Sequence, residues 1–271
     1  MAGTMTVYRW EVRKLLSQKR TYLGLGAAML VPIIFVVALT LQKGQPNDVA
    51  FGRYVRESGL AIPLVLLLFG SIWLFPLITA LVAGDIIASE SHNGTLKTIL
   101  TRSLDRGQVF AGKTLVALTY AFAALVTMGV TALVAGTLKS GFHPLVTLSG
   151  TRVSAGRALG LVAASFAVYL LPMAAIACFG LLLSALTRNS AAAVVGTLMV
   201  SLLFQLIGIL PGLSGTQPYL LSTQFNAWQG LLRTPIDWAP IIRAAWVCAA
   251  YGIPSLGTAY LVFLRRDVAG G

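Results

Sequence analysis

Six long stretches of the sequence contain no Asp, Glu, Lys or Arg, and they constrain the fold more than any other feature. They cover residues 21–42, 58–84, 114–138, 158–187, 189–232 and 244–264. A helix of about 20 apolar residues crosses the roughly 30 Å hydrocarbon layer of a membrane. Only helices and closed barrels satisfy their backbone groups in lipid, and these stretches lack the alternating pattern of barrel strands. They therefore predict membrane-spanning helices.

The predicted fold is an all-α integral membrane protein that forms a single transmembrane domain over residues 1–271. Only 10 % of its residues are charged, against about 25 % in soluble proteins. The fifth stretch is too long for one span, and Pro211, Gly212, Gly215 and Pro218 break it. The six spans are placed near 22–41, 60–83, 114–138, 158–186, 190–210 and 243–264.

Lys and Arg in the connections between spans predict the orientation. With the N-terminus inside, the inner segments carry more of these residues than the outer ones, and a basic cluster directly precedes the first span. Because cytoplasmic connections are rich in Lys and Arg, both termini are predicted to be cytoplasmic and the chain integral to the cell membrane. The net charge of +12 is interpreted as cations facing anionic lipid headgroups, and a nucleic-acid partner is not expected.

Residues 5–20, before the first span, have helical periodicity. The side chains of Tyr8, Val12, Leu15 and Leu16 share one sector of the predicted helix. Such a helix is expected to lie along the inner membrane surface with this sector in the acyl boundary. The alternative is a cytosolic extension of the first span.

The stretch LLSTQFNAWQGLLR, before the last span, also has helical spacing. Its apolar face would comprise Leu221, Phe225, Trp228 and Leu232. Since Trp and Tyr favour the membrane interface, a short helix is predicted at the outer boundary, together with Tyr219 and Trp238. This helix could cap a translocation path or only anchor the chain at the interface.

Residues 107–114, GQVFAGKT, match the phosphate-binding P-loop pattern G-x-x-x-x-G-K-[ST]. A working P-loop needs a buried strand before the glycines and a sheet around it. Here an amphipathic helical segment precedes the motif and a membrane span follows it. The match is therefore interpreted as a coincidence, and Lys113 is predicted to be a snorkelling anchor at the inner end of span three.

Few residues suggest chemistry. Asp85, Glu90 and His92 are interpreted as a hydrated helix end rather than a metal site, and no His or acidic residue accompanies the Ser and Thr residues of the spans. The chain is thus predicted to be non-catalytic and to hold no metal or cofactor. The absence of charges in mid-span argues against ion coupling. Gln205, the most polar side chain within a span, could form an interhelical hydrogen bond or line a path.

Prolines within the predicted spans offer a means of movement, because each interrupts the hydrogen bonding of its helix. These residues are Pro32, Pro63, Pro76, Pro172 and Pro254.

Two stretches together resemble the permease subunits of ABC transporters of the type-2 membrane-domain family. The first is EVRKL, residues 11–15, and the second is GDIIASESHNGTLKTILTRSLDRGQVFAGK, residues 84–113. In that family the second connection carries a pattern E-x-x-x-G-T-L-x-x-L-L-x-x-P-x-S-R followed by a Lys. The usual Pro is replaced by Ser103 or Leu104. The matching positions are Glu90, Gly94, Thr95, Leu96, Ile99, Leu100, Arg106 and Lys113.

The resemblance implies a coupling helix near 94–106 that docks onto a separate cytosolic ATPase. The implied coupling residues are Glu90, Gly94, Thr95, Leu96, Ile99, Leu100, Leu104, Arg106 and Arg188. Two permease copies, identical or closely related, would assemble with two ATPase subunits that hold ATP and Mg²⁺. Spans two and five would line the path. The candidates on the path are Phe69, Trp73, Phe204 and Gln205.

The function implied by the resemblance is export of a hydrophobic or amphipathic substrate, such as a lipid, drug or peptide. Two alternatives remain open from the residues themselves. A membrane scaffold that anchors a cytosolic complex would explain the inner amphipathic helices but not the prolines of the spans. An ion-coupled carrier would need no ATPase partner.

Overall fold

The computed structural model describes residues 2–41, 51–92, 105–187, 189–210, 212 and 215–265. Two-residue strands β1 (Leu145–Val146) and β2 (Arg152–Val153) pair antiparallel. Short 3₁₀ helices cover Gly52–Tyr54, Gln217–Tyr219 and Ala227–Leu232. The α-helices are α1 (Ala2–Leu16), α2 (Lys19–Leu41), α3 (Ala61–Gly70), α4 (Leu74–Ala83), α5 (Ala88–His92), α6 (Arg106–Ser140), α7 (Ala155–Leu186), α8 (Ser190–Ile209), α9 (Leu221–Gln224) and α10 (Ala239–Arg265).

The predicted fold class, a helical membrane protein, is confirmed. Five of the described helices, α2, α6, α7, α8 and α10, are long and apolar enough to cross a membrane. A sixth span exists if α3 and the segment Leu74–Glu90 count as one, but these two pieces are bent by 61°. The stretch predicted as a span over 60–83 is therefore not one straight helix.

Proline alone does not explain that bend. Pro32, Pro172 and Pro254 lie inside helices that continue through them, and Pro63 lies in the first turn of α3, where an N–H has no intrahelical partner anyway. Pro76 differs because the residue four positions before it, Ile72, lies in the interruption at residues 71–73. Pro76 offers no N–H to the Ile72 carbonyl, and its ring would clash with that carbonyl in a continuous helix.

The bundle has two ends, which are named here by what they carry. The α1 face holds α1, α5, the start of α6 and the end of α10, and the hairpin face holds the β1–β2 pair. Between them, the exposed surfaces of α2 and α8 are apolar, with Leu23, Ile34 and Leu206 among the exposed side chains. Such surfaces suit contact with lipid or with another membrane chain.

At the hairpin face, residues 221–232 form α9 and a 3₁₀ helix rather than one helix. Leu221, Phe225, Trp228 and Leu232 are all buried, and the Trp228 ring stacks on Phe51 with centroids 6.2 Å apart. These four side chains therefore pack into the protein core, whereas Tyr219 and Trp238 are 52 % and 57 % exposed. The role of the segment as a cap or as an interface anchor stays a prediction.

Candidate functional site

A group of four charged side chains lies at the α1 face, and we call it the ion cluster: Glu11, Glu90 and Lys113, which are buried, and Lys14, which is 30 % exposed. Lys113 Nζ lies 2.6 Å from Glu11 Oε1 and 2.7 Å from Glu90 Oε1. It also donates to the carbonyl of Ile86 at 3.3 Å. The Lys113 side chain is 0 % exposed, and both carboxylates are buried. One ammonium thus joins α1, the end of span two and the start of α6.

Lys14 completes the cluster from its more open side. Its ammonium forms an ion pair with Glu90 and lies 3.9 Å from Glu11 Oε2 and 5.7 Å from the ring centroid of Trp10. Two lysines and two glutamates balance in formal charge. This balance matters because a buried charge without a partner costs several kcal/mol.

Two sequence interpretations are wrong here. Lys113 does not snorkel towards water, because its ammonium is enclosed by carboxylates. Asp85 and Glu90 are not a hydrated helix end, because both side chains are buried. Within the described part of the chain, no group of three His, Cys, Asp or Glu side chains is placed to hold a metal ion.

A second ion pair lies beside the ion cluster. Arg20, at the start of α2, pairs with Asp85 in the turn after α4, and Ser190 Oγ hydrogen-bonds to the same carboxylate. Ser190 begins α8, whose N-terminus is capped by Asn189 Oδ1 accepting from the Ala192 N–H at 3.2 Å. The Asp85 carboxylate therefore connects the first, second and fifth spans.

The turn between α4 and α5 is also held by its neighbours. Ser184 Oγ in α7 accepts from the backbone N–H groups of Ile87 and Ala88 at 3.1 and 2.9 Å. A methyl group at Gly84 would lie 2.9 Å from Val194 Cα, which is closer than real contacts allow. Span two thus packs backbone to backbone against α8 at this level.

Helix α1 packs on α6 and is separated from α2 by a turn at residues 17–18. Its contact is close, because a methyl group at Gly112 would lie 2.6 Å from Val7 Cγ1. Tyr8 and Thr119 share a hydrogen bond of 3.2 Å between their hydroxyls, whereas Leu16 is 50 % exposed. The predicted apolar sector is therefore divided between protein contact and the exposed surface, and its position in a membrane stays a prediction.

The predicted ATPase-coupling residues fall into two groups. Within the described chain, Glu90 belongs to the ion cluster, and Arg106 Nη1 donates to the carbonyl of Leu264 at 2.7 Å. Arg106 therefore satisfies a carbonyl in the last turn of α10, a position that favours a cation. The remaining residues lie outside the described part: Gly94, Thr95, Leu96, Ile99, Leu100, Leu104 and Arg188.

The P-loop-like residues 107–114 are helical throughout, within α6. Gly107 and Gly112 face Tyr260 and Val7 respectively, and the ammonium of Lys113 binds carboxylates. No backbone loop turns its N–H groups towards a common point in this stretch. The geometry agrees with the interpretation of the match as a coincidence.

Three of the four predicted path residues lie at the interruption of span two, and the fourth, Phe204, packs elsewhere. Phe69 lies just before the interruption and Trp73 is its last residue, and their side chains are 46 % and 60 % exposed. Gln205 in α8 reaches the same point, where its Nε2 donates to the Ser71 carbonyl at 3.0 Å. Phe204 instead packs between Phe179 and Tyr251, with ring centroids at 6.3 and 5.2 Å.

Comparison with known proteins gives one family match. No curated protein matches the sequence. Residues 8–208 match the family model described as ABC-2 family transporter protein. This range runs from the middle of α1 to the end of α8, except for its last residue, and includes all four residues of the ion cluster. Since the match takes in well over half of the 271 residues, the chain belongs to the ABC-2 family of transporter membrane proteins.

Proposed function

We propose that this chain is the membrane-spanning permease subunit of an ATP-driven exporter and that a separate cytosolic subunit binds ATP and Mg²⁺. The ion cluster is the observation that carries the proposal. Glu90 and Lys113 stand on either side of residues 93–104, the segment expected to dock on the ATPase, and their charged groups lie 2.7 Å apart. The described chain before that segment and the described chain after it are thus joined to each other and to α1.

This arrangement suits the transmission of a movement. Separating buried opposite charges is costly, so a displacement of residues 93–104 would carry α1, α5 and the start of α6 together. Asp85 extends the connection to α2 and α8 through Arg20 and Ser190. The docking segment would therefore act on several spans at once.

The described spans also support an external source of energy and an apolar cargo. Their middle parts hold no charged side chain, and the Asp, Glu, Lys and Arg residues of the described spans lie near helix ends. Ion-coupled carriers keep ionisable groups within their spans. A hydrophobic or amphipathic substrate driven by ATP hydrolysis in a partner fits this distribution best.

The working unit is proposed to contain two permease chains and two ATPase subunits, with both permease termini in the cytoplasm. Helices α2 and α8 support the pairing, because they are the least buried of the long spans. Their apolar exposed faces are available to a second copy. The second copy is identical or a close relative of this chain.

Affinity purification from native membranes tests the proposal, with Mg-ATP hydrolysis as the readout. The tagged chain is expected to bring ATPase activity with it. Leu100→Asp is expected to abolish that activity, because it places a charge at a position that the resemblance implies contacts the ATPase. Leu138→Asp is the matched control, since Leu138 is exposed at the hairpin end of α6. ATP hydrolysis by the isolated chain, or undiminished activity with Leu100→Asp, would contradict the proposal.

A further inference from the structure

The interruption of span two is stabilised by side chains from two other helices. Tyr169 in α7 donates its hydroxyl to the carbonyl of Leu67 at 3.0 Å, and Gln205 Nε2 in α8 donates to the carbonyl of Ser71 at 3.0 Å. Ser71 itself donates Oγ to the carbonyl of Leu68 at 2.7 Å. Three carbonyls around the interruption thus accept side-chain donors, which matters in a membrane because water cannot serve there.

Each of the two interhelical bonds competes with a bond of a straight helix. In a continuous helix, the carbonyls of Leu67 and Ser71 would accept from the N–H groups four residues later, those of Ser71 and Phe75. The bent and straight forms can therefore both satisfy these two carbonyls. Pro76 opposes the straight form, because it offers no N–H to Ile72.

The two halves of span two are held independently at their far ends. On the α1 face, Asp85 and Glu90 fix the segment after α4 to α2, α6 and α8. On the hairpin face, Ser58 Oγ donates to the carbonyl of His143 at 2.8 Å, and Ser140 Oγ donates to that of Val55 at 2.6 Å. A methyl group at Gly59 would lie 2.4 Å from the backbone of Gly136. Any relative movement of the halves must therefore be absorbed between these anchors.

Aromatic rings pack closely around the interruption. Gly70 lets the Phe75 ring fold back over the end of α3, since a methyl group there would lie 2.8 Å from that ring. The Tyr169 ring packs edge-on against Phe75 and Phe225, with centroids at 5.3 and 5.0 Å. The hydroxyl that holds Leu67 thus belongs to a ring already fixed by packing.

We propose that residues 71–73 are a hinge between the two halves of span two, and that Gln205 and Tyr169 are positioning residues that hold its bent form. Pro76 destabilises the straight form. In the bent form, the two side-chain donors supply hydrogen bonds to carbonyls that would otherwise have none. The hinge links the ion cluster to the hairpin face. Its part in transport rests on the proposed function, whereas its existence does not.

Hydrogen–deuterium exchange of the full chain in lipid nanodiscs tests the hinge, with mass spectrometry of peptides covering residues 67–77. Gln205→Leu is expected to speed exchange there several-fold, up to about tenfold, which corresponds to one hydrogen bond. Pro76→Ala is expected to slow it, because the helix can then continue. In the double variant, Gln205→Leu is expected to speed exchange by less than half as much, in log rate, as it does alone. A straight helix does not need the side-chain donor, so the two effects are not additive.

Two further variants keep the test decisive. Pro172→Ala is the matched control, because Pro172 lies in a helix that is already continuous, and it is expected to leave peptides 67–77 unchanged. If Gln205→Leu speeds exchange throughout the chain, the variant is generally destabilised. Tyr169→Phe then takes its place, alone and combined with Pro76→Ala. Unchanged exchange in Gln205→Leu and Pro76→Ala, or strictly additive effects, would overturn the hinge. Because no ATPase is present, this result is independent of the partner experiment.

Discussion

Lys113 Nζ lies 2.7 Å from Glu90 Oε1, and the two residues stand on either side of residues 93–104. Glu11 Oε1 lies 2.6 Å from the same ammonium. All three side chains are buried, so this contact joins α1 to the chain on both sides of residues 93–104. The stability of this contact is directly testable.

Lys113→Met removes the cation while keeping much of the side-chain volume. It removes one of the two ammonium groups that pair with the buried carboxylates of Glu11 and Glu90. Breaking a buried ion pair in this way costs about 3–5 kcal/mol. Thermal unfolding of the detergent-solubilised chain, followed by size-exclusion chromatography, is expected to show a clear fall in Tm. Lys139→Met is the control, because Lys139 is exposed at the hairpin end of α6. Equal melting of the two variants would show that the cluster contributes nothing to stability.

Restoring the charge balance is expected to recover part of that loss. In Lys113→Met combined with Glu11→Gln, one carboxylate remains, Glu90, and Lys14 still pairs with it. The double variant is therefore predicted to melt above Lys113→Met, although each substitution alone destabilises the chain. The same chromatographic assay measures this non-additivity. A double variant that melts at or below Lys113→Met would mean that packing, rather than charge, sets the loss.

The spans were predictable from sequence because the membrane imposes a requirement that each segment meets alone. Residues 114–138 and 158–186 need only their own apolar side chains and length to indicate helices, and α6 and α7 cover them. Helix α6 begins at Arg106, before the predicted span, and the charged Arg106 and Lys113 in its first turns are both paired inside the protein.

The bend in span two and the ion cluster could not be derived in that way. Five prolines in the predicted spans carried the same signal. Near Pro76, the carbonyls of Leu67 and Ser71 accept hydrogen bonds from Tyr169 and Gln205, which come from distant parts of the chain. Glu11, Glu90 and Lys113 are likewise far apart in sequence. All three residues lie in the stretches 11–15 and 84–113, which resemble one family. That their side chains meet in one cluster could be seen only in the folded structure.

Gly84→Ala tests the close packing of span two on α8. A methyl group there would lie 2.9 Å from Val194 Cα and 2.8 Å from the carbonyl oxygen of Ala80, and backbone atoms cannot yield cheaply. The loss is expected to be about 1–3 kcal/mol, seen as a lower Tm. Gly160→Ala serves as the control, because a methyl group at Gly160 would have no heavy atom of another side chain or helix within 4 Å. Gly160→Ala is expected to be neutral or mildly stabilising, so a similar loss in both would refute the packing argument.

Asp85→Asn is expected to destabilise the chain less than Lys113→Met. The amide still accepts a hydrogen bond from Ser190 Oγ, and the released Arg20 side chain is 30 % exposed, so its charge can reach water. A loss of about 1–2 kcal/mol is expected. Comparing the two melting curves in one detergent checks the order, and a larger loss for Asp85→Asn would reverse the assignment of the ion cluster as the dominant contact.

A photo-crosslink from the docking segment in native membranes examines the proposed permease function at the contact on which it depends. Leu100 is replaced by p-benzoylphenylalanine, the membranes are illuminated, and the crosslinked protein is identified by mass spectrometry, with the same replacement at Leu138 as the control. Position 100 is predicted to capture an ATP-hydrolysing subunit, and position 138 is predicted not to. Membranes that still transport while position 100 captures no such subunit would contradict the proposed function.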